Sequence, residues 1–163
     1  MSNFEVVQNK IFTFQSIRKQ ILLWRFLGRK IVFTNGCFDI LHFGHINYLS
    51  KAADLGNILI IGINSDASVK KLNKGNSRPL QDEKSRASIV ASLGFVSAAI
   101  IFEEDTPYEL IKIIQPDVLV KGGDWKLEQI VGADLVKQRG GDVVSIEFIK
   151  GYSTTGIENK IKG

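Results

Sequence analysis

Hydrophobic positions in this chain fall into two registers. Short segments with apolar centres cover 31–34, 57–64, 97–102, 117–120 and 142–147, continuous over 58–63, and their length suits strands of a parallel sheet. Between them, apolar residues recur every third or fourth position, the spacing of one helix face. The pattern predicts helices over 16–27, where Ile17, Ile21, Trp24 and Leu27 share a face ended by Gly28, over 46–55 before Gly56, and over 82–93 before Gly94. A short helix is expected over 67–72. Thr106-Pro107 starts another, which runs to Ile114 because Pro116 forbids continuation. Helix 132–139 stops at Gly140-Gly141, and a last short helix opens near Ser153 with Ile157 and Ile161 four apart.

Strands alternating with helices imply an α/β fold with right-handed crossovers. We expect a Rossmann-like, doubly wound parallel sheet of about five strands in the order 3-2-1-4-5, with the first and fourth strands adjacent at the switch point where ligands bind. Residues 1–28 then form an N-terminal helical extension to a body over 29–163. That helix is expected to pack on the body; an exposed Trp24 face would instead suggest a partner or a homodimer.

Composition narrows the setting. At 163 residues, 44% hydrophobic and 23% charged, the chain fits one ordinary globular domain. Its single cysteine excludes an internal disulfide, and the chain lacks both an apolar run of about 18 residues and an apolar signal core, so a cytoplasmic protein without a membrane span is expected. A net charge of +4 and pI near 9.2 suit nucleic acid and small phosphorylated substrates alike. Because basic residues are interspersed with acids and no basic aromatic stripe exists, the second class is expected.

The chemistry centres on Ile31-Val-Phe-Thr-Asn-Gly-Cys-Phe-Asp-Ile-Leu-His-Phe-Gly-His45, which crosses from strand to helix and holds both histidines of the chain. Positions three apart lie on one face of a turn, so His42 and His45 can donate to one phosphate chain. A zinc site is not expected, since only Cys37 could join them and a tetrahedral sphere needs more nitrogen or sulfur ligands.

Gly36-Cys37-Phe38-Asp39 followed by His42-Phe43-Gly44-His45 resembles the paired signature of the cytidylyltransferase-like nucleotidyltransferases, which join a nucleoside triphosphate to a phosphorylated small molecule and release pyrophosphate. The resemblance implies that His42 and His45 contact the triphosphate near the reacting phosphorus, and that the turn through Phe33, Thr34, Asn35, Gly36, Cys37 and Phe38 passes its backbone beside the nucleotide. Asp39 would orient the loop or help place the Mg²⁺ that accompanies ATP; as a plain turn cap it would do neither. Ser153, Thr154 and Thr155 resemble the family's terminal motif for the β- and γ-phosphates, and a simple N-cap is compatible with that role. The resemblance implies further cations from Arg86, in the middle of helix 82–93, and from a lysine of 70–74, with Lys71 favoured, in a basic loop over 70–79 that can close on phosphates.

Lys121-Gly122-Gly123-Asp124-Trp125, together with Asp105-Thr-Pro107, Pro116-Asp-Val-Leu-Val120, Ile130-Val-Gly-Ala133 and Gly151-Tyr-Ser-Thr-Thr155, resembles the adenylyltransferase domain that makes ADP-glycero-manno-heptose, a lipopolysaccharide-core precursor, from heptose 1-phosphate and ATP. Many such domains are fused to a ribokinase-like kinase; the length here resembles the stand-alone form, which implies a separate heptose kinase. One departure stands out: some glycerol-phosphate cytidylyltransferases carry an arginine shortly before the terminal motif, where this chain reads Glu147-Phe-Ile-Lys150, so nucleobase or acceptor contacts must differ. A cytidylyltransferase for glycerol 3-phosphate or a related polyol phosphate, and a non-catalytic nucleotide-binding module, are the alternatives.

Overall fold

The computed structural model of the protein describes residues 1–72, 78–123 and 125–162, the side chain of Lys162 excepted. Six strands, β1 (Ile11–Phe12), β2 (Ile31–Gly36), β3 (Ile58–Asn64), β4 (Ala98–Phe102), β5 (Val118–Gly122) and β6 (Asp142–Ile146), form one sheet in the order β1-β4-β3-β2-β5-β6. Every pairing is parallel. Counted from Ile31, the five longer strands follow the expected 3-2-1-4-5 order. The correction is β1, which extends the sheet beyond β4; two residues are too short to give a periodic signal.

Side chains alternate between two cores. Ile31, Phe33, Ile60, Ile100 and Leu119 meet α2 (Phe14–Phe26), α6 (Tyr108–Ile114) and α7 (Ala133–Gln138) through Ile17, Ile21, Ile111, Ile114 and Val136. Val32, Leu59, Ile61, Ala99 and Val118 meet α3 (Phe43–Ala53) and α5 (Glu83–Ala91) through Tyr48, Leu49, Ala87 and Val90. The apolar segments thus serve a sheet covered on both faces. Three further α-helices, α1 (Asn3–Gln8), opened by a Ser2/Glu5 capping box, α4 (Asp66–Lys71) and α8 (Thr154–Lys162), and a single 3-10 turn at Leu127–Gln129 complete the described elements.

The N-terminal segment is woven into this body. Ile17 and Ile21 are buried in the first core, Ile11 and Phe12 pair with Ala99 and Ile100, and Trp24 packs edge-on against Phe12. The exposed apolar face of α2 is formed by Leu22, Leu23 and Phe26.

Adjacent strands β2 and β5 send their chains to opposite faces, β2 into α3 on one side and β5 toward α7 on the other. Their carboxyl ends therefore leave a crevice at the switch point.

Candidate active site

Helix α3 begins three residues earlier than the apolar spacing predicts, because His42 serves as its N-cap. His42 is extended, and its carbonyl accepts from the His45 and Ile46 N–H groups at 2.9 and 3.2 Å. His45 therefore stands in the first helical turn. The two imidazoles stack with centroids 3.8 Å apart and planes 27° from parallel, and Phe38 meets His45 edge-on. Nδ1 of His42 is buried with no hydrogen-bond partner among the described residues, and burial holds its pKa below the ordinary 6.5. A stacked imidazole pair at a helix start with an unsatisfied buried nitrogen is a poor way to stabilise a fold and a ready receptor for an anion. Gly44 permits this packing: a Cβ there would lie 3.1 Å from the His42 ring and from Tyr152.

Two adjoining cavities occupy the crevice. One, of about 220 Å³, is lined by His45, Tyr48, Arg78, Gly122, Phe148 and Thr154. The other, of about 290 Å³, is lined by Asn64, Asp105, Thr106, Trp125, Gln129 and Ile130. Asn35, Gly36, Cys37 and Lys121 line both, so the end of β2 and a lysine at the end of β5 form the ridge between them. Phe38 and Asp39 line the first cavity as well.

Several expected residues stand elsewhere. Phe33 is fully buried in the core, with its backbone between β3 and β5, and Thr34 is buried with its hydroxyl 2.5 Å from the Tyr48 hydroxyl; neither lines a cavity. Arg86 is a correction to the expected phosphate cation. Its guanidinium is fully buried, donating to Gln81 O at 3.0 Å, Cys37 O at 2.6 Å and the Asp66 carboxylate at 2.8 Å. It anchors the motif loop, because a buried charge must be paired where it lies. Asp39 is likewise spent: it accepts from the backbone N–H groups of Leu80 and Gln81 at 2.9 to 3.0 Å. It caps a turn across 41 residues of sequence.

Lys71 is exposed and lies 3.0 Å from Asp105, at the rim of the second cavity. Lys74 and Asp124 lie outside the described residues, as does the centre of the basic loop, 73–77. Gly123, at φ +102°, is bent so that its carbonyl accepts from the Ser145 hydroxyl. In the terminal motif, Ser153 Oγ caps the Gly156 N–H at 3.0 Å, Thr154 lines the first cavity, and Thr155 is exposed.

Sequence reasoning missed Arg78. Its guanidinium reaches the first cavity and is held 2.7 Å from Glu158 of α8, with both side chains largely buried. The basic, proline-broken loop pointed to this region, but nothing local singled out Arg78, since its partner lies 80 residues away. Tyr48 was missed as well, concealed as one more apolar position of α3; burial pushes its hydroxyl up to about 12, so it stays protonated as it bonds Thr34.

Among the described residues, no group of three or more His, Cys, Asp or Glu could hold a metal ion, and Asp39 already accepts from two backbone N–H groups. The described donor set does not fit a protein-held Mg²⁺; a divalent ion would enter as counterion of the triphosphate.

A family model described as cytidylyltransferase-like matches residues 33–159, which carry both motifs and both cavities. The chain belongs to the cytidylyltransferase-like family. The bifunctional protein HldE of Wolinella succinogenes is 52% identical over 156 residues, spanning 96% of this chain and 32% of that protein. HldE of Nitratiruptor sp. is 56% identical over 135 residues, 83% of this chain and 28% of its own length. The chain thus spans less than a third of these relatives. Among solved structures, it is similar to a lipopolysaccharide core biosynthesis protein from Thermoplasma volcanium, with TM-score 0.61, 29% identity, and coverage of 77% of this chain and 99% of that one. The pantoate-beta-alanine ligase of Francisella tularensis, at TM-score 0.57 and 20% identity over 93% and 76% of the two chains, shares the fold. No helix among the described residues is long and apolar enough to cross a membrane.

Proposed function

We propose that the protein is an adenylyltransferase that transfers AMP from ATP to D-glycero-β-D-manno-heptose 1-phosphate, giving ADP-heptose and pyrophosphate for lipopolysaccharide core synthesis. The observation that carries this reading is the stacked His42–His45 pair beside one cavity with Arg78 and Thr154, joined across Lys121 to a second cavity. Identity to HldE proteins above 50% and likeness to a lipopolysaccharide core biosynthesis protein support the choice of sugar phosphate.

The triphosphate lies in the first cavity, with its phosphates toward His42, His45, Thr154 and the α8 start. The sugar phosphate enters the second and meets it at Lys121. An oxygen of the sugar phosphate attacks the α-phosphorus of ATP; the new P–O bond forms as the bond to the β-phosphate oxygen breaks, and pyrophosphate leaves with that electron pair. The second pKa of a phosphate monoester is about 6, so the nucleophile is already an anion at neutral pH and no base has to remove a proton. The protein's task is to align two anions and stabilise the charge gathered around the α-phosphate. His42 and His45 supply those donors at a helix start, and Lys121 offsets the repulsion between the reactants. Mg²⁺ accompanies the ATP, and a separate kinase supplies the heptose 1-phosphate.

Pyrophosphate release, measured for ATP and CTP against heptose 1-phosphate and glycerol 3-phosphate, tests this. Turnover is expected with ATP and heptose 1-phosphate. Activity with CTP alone would make the protein a polyol-phosphate cytidylyltransferase, and silence with every pair would leave a binding module.

A further inference from the structure

Phe148 stands out among the residues around the first cavity. It lies between β6 and α8, it is an aromatic residue 52% exposed, and it lines the cavity that also holds His45, Arg78 and Thr154. The ring is nevertheless held in place. Its tip rests on Gly122, where a Cβ would come within 2.3 Å of Cζ and 2.5 Å of Cε1, so only glycine admits it. Its edge meets the Tyr48 ring, with centroids 5.6 Å apart and planes at 63°. Tyr48 is in turn fixed by the Thr34 hydroxyl and the Val120 carbonyl. A buried tyrosine, a strand-end glycine and the ring thus form a rigid apolar shelf inside a cavity otherwise furnished for phosphates.

A nucleoside triphosphate has one flat apolar part, its base. Exposed apolar surface in a site is costly unless a ligand covers it, and base-on-aromatic stacking repays that exposure with any base. A purine covers more of a phenyl ring than a pyrimidine does. We propose that Phe148 is the platform on which the nucleobase stacks, and that this contact favours ATP over CTP. The inference rests on the nucleotide-binding reading of this cavity.

The test uses the full chain and direct binding by calorimetry, with ATP, CTP and inorganic tripolyphosphate as probes; the last carries the phosphates and no base. Phe148→Ala should weaken ATP about tenfold, CTP by threefold or less, and tripolyphosphate not at all, while Phe148→Tyr, which keeps the ring, should bind ATP like the wild type. Phe148→Leu, which retains most of the apolar volume, guards against a misfolded alanine variant and should lose ATP affinity in the same way. An equal loss for ATP and tripolyphosphate would make Phe148 a mere wall of the phosphate site and overturn the contact. Equal losses for ATP and CTP would overturn the selectivity. A wild type that binds none of the three probes would remove the nucleotide reading itself, an outcome distinct from either.

Discussion

The polar groups gathered at the end of β2 are used in opposite ways. Arg86 and Asp39 are buried with their hydrogen-bonding capacity directed at the protein: one grips the Cys37 carbonyl and Asp66, the other the Leu80 and Gln81 N–H groups. His42 and His45 sit a few residues away in the same turn, stacked on each other, with the His42 Nδ1 buried and unsatisfied among the described residues. Saturated groups build the cradle, and the group left wanting a partner marks what the cradle is for. Family resemblance assigned His42, His45 and Arg86 alike to phosphate and left Asp39 between orienting the loop, placing Mg²⁺ and capping a turn.

The comparison can be broken most directly at His45. His45→Ala should cut turnover by about 10²- to 10³-fold, the usual effect of losing one preorganised donor to transition-state charge. Its thermal midpoint should stay within a few degrees of wild type; a large drop in stability with normal kinetics would put His45 among the scaffold groups.

Arg86→Met should do the reverse, costing about 3 kcal/mol of stability in urea titration by leaving the Cys37 carbonyl and Asp66 without their buried partner. Asp66 is partly exposed and water can compensate it, which places the cost at the low end for a broken buried pair. Should Arg86→Met instead stay fully stable while losing ATP affinity, the guanidinium would belong to the phosphate site after all.

Asp39→Asn is expected to cost about 1–3 kcal/mol, because an amide nitrogen would face backbone donors where a carboxylate oxygen now accepts. Tyr48→Phe should cost about 1 kcal/mol by deleting the bond to Thr34.

The smallest effect is in pH. His42 is held below its ordinary 6.5 by burial, so between 6.5 and that lowered value the unfolded chain binds more protons than the folded one. Stability should therefore decline as pH falls through 6.5 and level off below the folded value. His42→Gln should flatten that decline in denaturation curves taken across pH. Triphosphate binding near pH 6.5 should take up a proton, since an adjacent anion favours the charged imidazole.

Much of the fold was legible because its signals are local. Five apolar runs became five strands in the expected order, and glycines and prolines ended the helices within a few residues of where they were placed. Helix α1 was not expected, because its Ser2/Glu5 capping box comes with no apolar period to announce it. The site was legible only in part. The 36–39 and 42–45 motifs pointed to the cavity, yet residue type could not tell which arginine reaches it: Arg78 does, held by Glu158, while Arg86 is buried behind it.

Alternation, turn residues and the histidine turn are written in neighbouring residues, so the chain by itself determined a parallel α/β sheet and the strand end where its chemistry gathers. The tertiary structure decided which side chains stay available there. That choice depends on pairings 49 and 80 residues apart, Arg86 with Cys37 and Arg78 with Glu158, and on a phenyl ring from beyond β6 coming to rest on the glycine at the end of β5. Contacts of that kind exist only once the sheet has closed, because hydrogen bonds and burial are set by distance in space and no local pattern records it.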